Sequence, residues 1–271
     1  MIVFSGCKIN LGLNVVRRRS DGFHDIESVF WPMRGLCDIV ELQAARLGGE
    51  VEFSQSGLTL DCPDEKNLCV RAFRLMQQRF AIKDGARIHL HKRVPTGAGL
   101  GGGSANATSV LKMTDQLWSL GLNDARLTEL SAQLGSDTAF FVLDRPALAT
   151  SRGEVLTPVE VCLAGYYILI VKPDVAVSTA EAYGMVAPGA WDVPVAEIVG
   201  MPVKKWRGLL TNDFETSVFA RYPLLGDIKE RLYSAGALYA SMSGSGSALY
   251  GVFRNVPSFE TEYFTYLERV E

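Results

Sequence analysis

The sequence "VPTGAGLGGGSANATSVL" (Val94–Leu111) places five glycines among seven residues and then continues into a helix-like pattern. Glycine loses more conformational entropy on ordering than any other residue, so such a run needs a compensating reason. Backbone amides that converge on an anion beside the positive end of a helix provide that reason. The stretch therefore predicts a phosphate-binding loop, and a flexible hairpin or linker is the alternative.

Three well-known phosphate loops do not fit this stretch. A Walker A loop needs Gly-Lys-Ser/Thr, but Gly102 is followed by Gly103 and Ser104. The dinucleotide fingerprint is present literally within residues 97–102, but it should follow a strand that is apolar on both faces. The preceding "ARIHLHKRV" (86–94) alternates instead, which predicts a half-exposed strand of a mostly antiparallel sheet. The protein-kinase motifs H-R-D and D-F-G do not occur in the sequence.

The composition is that of a globular protein. Of 271 residues, 48% are hydrophobic and 21% are charged, and the formal net charge of −3 argues against a nucleic-acid partner. The longest apolar run, at 166–171, is too short to span a membrane. The five cysteines form no CxxC motif, and we expect no signal peptide at the start of the chain. We expect a cytoplasmic protein with unpaired thiols.

The periodicity indicates two successive series of strands and helices, and the length allows either one large domain or two modest ones. Period-two strands and helices alternate in the first half, and a second series begins near "ALATSRGEVLTPV" (147–159). A final strand, "ALYGVF" (248–253), follows a second glycine-containing turn. We place the domain boundary between residues 149 and 150, which gives domains of residues 1–149 and 150–271.

Polar residues on the first strand are candidate ligand contacts. From Cys7 to Val15 the odd positions are apolar, so a strand with one buried face is predicted. Lys8 and Asn10 then project together from the opposite face. They either reach one ligand or form part of a solvated surface.

Two helices and an aspartate are predicted after the glycine run. The first helix covers Ser104–Leu120, and the Ser104 hydroxyl either caps it or meets a phosphate or metal. The second begins after Asn123 and stops at Gly135. Asp137 then precedes "AFFVL", which we interpret as an apolar strand. Its carboxylate is either a turn residue or aimed into a site.

Three further short segments have a structural and a functional interpretation. The turn Ser243–Ser247 is either a plain hairpin or a second ligand loop. Asp21-Gly22 predicts a hairpin that presents Phe23 and His24, which either bind a flat base or form an ordinary half-buried pair. His89 and His91 share a strand face, but without a third ligand of suitable spacing we do not expect zinc.

The order of these motifs resembles that of the GHMP kinase superfamily. The opening "KINLGLNVVRRRSDGFHDIESVF" (8–30) is similar to the kinases that phosphorylate 4-diphosphocytidyl-2-C-methyl-D-erythritol. The resemblance extends over nearly the whole chain through "DEKNLCVRA" (64–72), "GSDTAFFV" (135–142), "SRGEVLTPV" (151–159), "VSTAEAY" (177–183) and "NDFE" (212–215).

The resemblance implies a two-domain α+β fold, with a ribosomal-protein-S5-like ATP domain and a smaller ferredoxin-like substrate domain. It implies ATP with Mg²⁺ as cofactors, a small-molecule substrate that carries cytidine diphosphate, and transfer to its 2-hydroxyl. Lys8 and Asp137 would be the catalytic pair; the resemblance leaves the metal ligands and the oligomeric state undetermined. The implied ATP contacts are Pro95, Gly97, Ala98, Gly99, Leu100, Gly101, Gly102, Gly103, Ser104, Ala105, Asn106, Asn67, Leu68 and Lys92. The implied substrate contacts are Asn10, Phe23, His24, Thr179, Tyr183, Gly244, Ser245 and Gly246.

Other functions stay open at this point. A mevalonate or homoserine kinase would keep the phosphate loops but should lack the Phe23 and His24 pair. A non-catalytic GHMP-like sensor should have lost Lys8 or Asp137, and both are present. A Rossmann oxidoreductase would have to turn over a nicotinamide cofactor.

Overall fold

Two long strands open the chain. β1 spans Ile2–Arg18 and β2 spans His24–Ala45, and the turn between them contains Gly22 at φ +87°. The strand predicted at Cys7–Val15 is confirmed. The prediction that only one of its faces is buried is wrong, because every residue of that segment is buried. Its polar side chains tolerate burial because they are hydrogen-bonded: Asn10 Nδ2 donates to Ser28 Oγ at 2.9 Å, and Asn14 Nδ2 to Asp213 Oδ2 at 2.9 Å.

The computed structural model describes residues 1–46, 48–60 and 62–271. Its residue contacts divide these into two units. The first unit comprises Met1–Lys8, Pro32–Thr96 and Gly101–Asp144; the second comprises Ile9–Trp31, Gly97–Leu100 and Arg145–Glu271. Both long strands and the glycine run therefore supply residues to both units. The domain boundary between residues 149 and 150 stays a prediction.

The first unit is a sheet with helices. β4 (Gly85–Lys92) pairs antiparallel with β2 and parallel with β3 (Val51–Gly57). Ile88 and Leu90 of β4 are buried while His89 and His91 are not, so the predicted alternation is confirmed. The helices are α1 (Leu68–Phe80), α2 (Gly102–Leu117), α3 (Asp124–Ser131) and α4 (Thr138–Leu143). Their apolar residues, with those of β2 and β4, form one core cluster.

Three local expectations for this unit need correction. The segment "AFFVL" is helix α4 and not a strand, since a short apolar run that is buried all round has no period that separates the two. Helix α2 begins earlier than predicted, with Gly101 (φ +70°) and not Ser104 at its N-cap, because Ala105 N already donates to Gly101 O at 3.0 Å. The predicted start of α3 after Asn123 is confirmed, and Asn123 is its N-cap, but the helix ends at Ser131 and not at Gly135.

The second unit contains a four-stranded antiparallel sheet. Its order is β10 (Phe264–Arg269), β7 (Tyr167–Lys172), β9 (Leu249–Phe253) and β8 (Tyr239–Met242). Here β5 (Ala147–Thr150) pairs antiparallel with β2 and with β6 (Val155–Pro158). The helices are α5 (Thr179–Met185), α6 (Val195–Val199), α7 (Phe214–Arg221) and α8 (Pro223–Ser234). A second core cluster includes residues of β7, β9, α7 and α8.

No helix within residues 1–46, 48–60 and 62–271 has the length and apolar character that a bilayer crossing requires.

Candidate active site

An ion pair in the first unit joins the two candidate catalytic residues. Lys8 Nζ on β1 lies 3.3 Å from Asp137 Oδ2, and the side chains are 4% and 32% exposed. An ammonium with so little solvent contact needs a charged partner, and Asp137 provides it. Asp137 directly precedes α4, but its carboxylate makes no capping hydrogen bond with the described backbone of that helix. Its side chain is directed to Lys8, which agrees with the interpretation of Asp137 as a carboxylate aimed into a site.

The glycine run approaches this ion pair at the start of α2. A β-carbon on Gly101 would lie 3.2 Å from Lys8 Cγ and 3.1 Å from Phe141 Cζ, so the backbone here comes very near both side chains. The first amides of an α-helix have no intrahelical acceptor and attract anions. The helix start beside Lys8 leaves a space that a side chain would fill. The backbone amides of this helix start and the Lys8 ammonium suit a phosphate.

The start of α1 lies beside the same helix start. Asn67 caps α1 by accepting a hydrogen bond from Cys69 N at 2.9 Å. A β-carbon on Gly103 would lie 3.4 Å from Leu68 Cδ1, in ordinary van der Waals contact. The structure thus brings Asn67 and Leu68, two of the implied ATP contacts, next to the glycine run.

Lys92, another implied ATP contact, is fully engaged inside the first unit. Its ammonium lies 2.6 Å from Asp38 Oδ2 and also donates to Val94 O. The two charged side chains are 2% and 0% exposed. Direct contact of Lys92 with ATP stays a prediction, and the structure gives Lys92 a buried partner that the sequence analysis missed.

In the second unit, the other part of the glycine run meets the later serine-glycine turn. Ser243 Oγ donates to Gly99 O at 2.9 Å, and Ala248 N donates to Ala98 O at 3.1 Å. The turn joins β8 to β9 as a hairpin. Asn212 holds it by donating from Nδ2 to Met242 O and to Gly244 O, both at 2.8 Å. The predicted hairpin is confirmed, and it is also bonded to the glycine run.

The second unit also contains an aromatic cluster that includes two of the predicted base-binding residues, His24 and Tyr183. The rings of His24 and Tyr183 stack with centroids 4.8 Å apart and planes at 18°, and Tyr183 meets Phe214 edge-on. Phe23 is 54% exposed, and the guanidinium of Arg152 lies 5.1 Å from its ring centroid. The ring of Phe23 is thus accessible on a large part of its surface.

The pKa of His24 is lowered from its ordinary value. Burial is the larger cause, and the positive charge of Arg18 adds to it. His24 is therefore neutral at pH 7. A neutral imidazole has one nitrogen that donates and one that accepts a hydrogen bond.

The remaining predicted substrate residues also lie in the second unit. The backbone carbonyl of Asn10 accepts a hydrogen bond from Tyr250 OH at 2.7 Å, and its side-chain amide donates to Ser28 Oγ. Thr179 Oγ1 and Ser245 Oγ are 3.0 Å apart, so Thr179 at the start of α5 contacts the serine-glycine turn.

The two strand histidines are engaged by serines. His89 is hydrogen-bonded to Ser54 and Ser56, and His91 to Ser56. Across the described part of the chain, no group of three or more His, Cys, Asp or Glu side chains is arranged to hold a metal.

Sequence reasoning missed the buried polar residues that hold the two loops, which are Asp38, Asn212 and Glu215. Asp38 interrupts the otherwise apolar run "LCDIV" (36–40), and that interruption was an available signal. Glu215 accepts from Ser241 Oγ at 3.1 Å and from Met242 N at 2.8 Å, just before the serine-glycine turn.

Two domain models of the GHMP kinases match this chain. The model of the GHMP kinases N terminal domain matches residues 67–145, and that of the GHMP kinases C terminal matches residues 203–260. These ranges include the glycine run with Asp137 and the serine-glycine turn, respectively.

Proteins named 4-diphosphocytidyl-2-C-methyl-D-erythritol kinase are similar to this chain. That of Parabacteroides distasonis is 44% identical over 97% of this chain and 95% of its own length. That of Porphyromonas gingivalis is 45% identical over 98% and 96%.

Solved structures are similar as well. A crystal structure of 4-(cytidine 5'-diphospho)-2C-methyl-D-erythritol kinase has a TM-score of 0.79 and 32% identity, covering 93% of this chain and 90% of that one. Homoserine kinase from Cytophaga hutchinsonii has a TM-score of 0.62 at 19% identity, covering 98% and 95%, and shows the shared fold alone.

Proposed function

Since the chain belongs to the family of 4-diphosphocytidyl-2-C-methyl-D-erythritol kinases, within the GHMP kinases, we propose that its Lys8 and Asp137 transfer the γ-phosphoryl group of ATP to the 2-hydroxyl of that alcohol. The family membership makes the chain an enzyme of isoprenoid precursor biosynthesis by the non-mevalonate route. The observation that carries the residue assignment is the 3.3 Å ion pair of Lys8 and Asp137 beside the glycine run.

ATP, when bound, supplies the phosphoryl group, and the protein supplies position and charge. Phosphoryl transfer has a loose transition state with negative charge spread over the phosphoryl oxygens. The Lys8 ammonium and the amides at the start of α2 stabilise that charge without reorganising, because β1 and the helix hold them in place. Glycine at position 101 lets the start of α2 lie close to Lys8, because a β-carbon there would lie 3.2 Å from Lys8 Cγ and 3.1 Å from Phe141 Cζ.

Asp137 is the proton acceptor in this proposal. A carboxylate is too weak a base to deprotonate an alcohol fully beforehand, so it accepts the proton as the new P–O bond forms. Its side chain is 32% exposed and thus reachable by a hydroxyl, while Lys8 keeps it oriented. The Lys8–Asp137 pair therefore combines charge stabilisation with proton transfer.

Magnesium binding requires few protein groups. Mg²⁺ commonly keeps several waters and is bound through one or two protein ligands together with substrate phosphates. The partly exposed Ser104 hydroxyl in the first turn of α2 is a suitable oxygen donor near the proposed phosphates.

The aromatic cluster of the second unit supports a substrate with a flat base. Phe23 and Tyr183 offer ring faces, and the neutral His24 offers one hydrogen-bond donor and one acceptor for the polar edge of cytosine. Asn10, Thr179 and the turn Gly244–Gly246 would contact the rest of the alcohol. Mevalonate and homoserine carry no base, so this cluster favours the diphosphocytidyl substrate over theirs.

An ADP-release assay tests the substrate assignment. The enzyme is given diphosphocytidyl methylerythritol, mevalonate or homoserine at equal concentrations with ATP and Mg²⁺. We expect ADP release with the first compound and background rates with the other two. Activity with mevalonate or homoserine, together with none on the diphosphocytidyl compound, would contradict the proposal.

A variant of the base site adds a second comparison to this assay. Tyr183→Ala should raise KM for the diphosphocytidyl alcohol about tenfold or more and leave KM for ATP unchanged, because stacking on an aromatic side chain contributes about 1–3 kcal/mol. An unchanged KM for the alcohol would remove Tyr183 from the substrate site.

A further inference from the structure

One buried carboxylate collects four hydrogen bonds beside the glycine run. Asp38 on β2 is 0% exposed. Its Oδ1 accepts from Arg93 N at 2.7 Å and from Val94 N at 2.8 Å. Its Oδ2 accepts from Lys92 Nζ at 2.6 Å and from Asn106 Nδ2 at 2.9 Å. Both oxygens of the carboxylate are thus used twice.

The four donors come from the two segments that enclose the glycine run. Lys92, Arg93 and Val94 lie at the end of β4 and just after it, before the run begins. Asn106 lies in the second turn of α2, after the run has ended. Asp38 is therefore the common acceptor for the start and the end of the segment that we assign to the ATP phosphates.

We propose that Asp38 is a positioning residue for ATP: it fixes the distance between residues 92–94 and Asn106 and so sets the shape of the glycine loop. The proposal rests on the proposed function only in that the loop binds ATP. Asp38 itself touches no substrate, and Lys92 supplies the buried positive charge that makes its burial tolerable.

The orientation of Asn106 shows how strongly Asp38 controls its neighbours. Asn106 is 2% exposed, and its Oδ1 has no hydrogen-bond partner among the described residues. Rotating the amide by half a turn would bring Oδ1 against the Asp38 carboxylate, and two acceptors would then face each other. The charged acceptor thus fixes the amide of Asn106 even though a buried oxygen is left unpaired.

An ionised carboxylate is the group that this position requires. It only accepts hydrogen bonds and offers about four lone-pair sites, which matches four donors. An asparagine at position 38 would present an NH₂ group to Lys92 and Asn106, both of which are donors. Asp38→Asn is expected to release Lys92 and Asn106 while keeping one acceptor for the backbone amides.

The test compares four variants: Lys92→Met, Asp38→Asn, the double variant Asp38→Asn/Lys92→Met, and Thr114→Val as control. Thr114 is equally buried on α2, and its hydroxyl donates within that helix, to Val110 O at 2.7 Å. The double variant matters because Asp38→Asn alone leaves an uncompensated buried ammonium and can fail to fold. Replacing both charges by neutral groups removes that penalty.

Two readouts separate positioning from simple charge neutralisation. Hydrogen–deuterium exchange of peptides covering residues 93–106, measured without ATP, reports how firmly the loop is held in its folded conformation. Calorimetric titration with ATP reports binding and needs no alcohol substrate. We expect the double variant to exchange these amides at least tenfold faster, and to bind ATP at least tenfold more weakly, than Lys92→Met. Thr114→Val should match the wild type in both.

Equal exchange and equal ATP affinity in the double variant and in Lys92→Met would overturn the proposal, because Asp38 would then only neutralise Lys92. Failure of the wild type to bind ATP would instead refute the proposed function, and the exchange comparison would still decide whether Asp38 holds residues 93–106.

Discussion

A β-carbon placed on Gly99 would lie 1.9 Å from the carbonyl oxygen of Ser243. The serine also donates from its hydroxyl to Gly99 O at 2.9 Å. The glycine run and the serine-glycine turn of the second unit are thus in direct backbone contact, and Gly99 at φ +74° has neither the space nor the conformation for a side chain.

Gly99→Ala should disrupt this contact. A β-carbon overlapping a backbone oxygen forces the two segments apart, so we expect loss of ATP binding and a drop in the free energy of unfolding well above that of left-handed strain alone. ATP titration calorimetry and urea denaturation measure the two effects.

The matched control is Gly121→Ala. Gly121 has φ +70°, and its added β-carbon meets nothing within 4 Å. It should lose only about 1 kcal/mol of stability from the left-handed conformation and keep ATP binding. Equal effects of the two substitutions would show that the contact with Ser243 is unimportant.

Ser243→Ala tests the hydrogen bonds of the same contact. The substitution removes the donor to Gly99 O and the acceptor for Asn10 N at 3.2 Å, and both partners lose a buried hydrogen bond. We expect a loss of about 1–3 kcal/mol in the free energy of unfolding, measured by urea denaturation.

Ser234 is the control for this measurement, because its hydroxyl bonds Glu230 O at 2.9 Å on an exposed part of α8. Ser234→Ala should change stability by less than about 0.5 kcal/mol. If Ser243→Ala lowers the free energy of unfolding by no more than Ser234→Ala does, the hydrogen bonds of Ser243 do not stabilise this contact.

The pKa of His24 should lie below its ordinary value of 6.5. Burial and Arg18 both disfavour the protonated ring in the folded chain. Because the unfolded chain takes up this proton more readily, the free energy of unfolding should fall as the pH drops through the ordinary pKa of 6.5 and level off below the lowered pKa of the folded chain. Imidazole chemical shifts in an NMR titration measure the pKa.

Arg18→Gln separates the two causes. Removing the positive charge should raise the pKa of His24 only part of the way to 6.5, because burial is the larger cause and remains. A pKa at or above 6.5 in the wild type would show that His24 is solvated and would weaken its assignment as a neutral group for a base.

Local patterns predicted local structure well. The alternation of apolar Ile88 and Leu90 with polar residues predicted β4, and Asn123 marked the start of α3. The burial of Lys8 and Asn10 could not be read from period two, because it depends on partners far along the chain, Asp137 and Ser28. The network of Asp38 likewise joins residues that only the tertiary fold brings together.

We assign Asp137, paired with Lys8, as the group that accepts the proton of the substrate hydroxyl. Asp137→Asn keeps the size of the side chain but loses the charge and the proton acceptor. Asp144→Asn is the matched control: Asp144 lies at the other end of α4 in a left-handed conformation at φ 46° that asparagine tolerates, and its side chain is exposed.

The most direct measurement is a rapid-quench single-turnover assay with radiolabelled ATP and diphosphocytidyl methylerythritol. Asp137→Asn should slow phosphoryl transfer by about 10²-fold or more, and Asp144→Asn should transfer at the wild-type rate. Transfer by Asp137→Asn at a rate near that of the wild type would contradict the assignment.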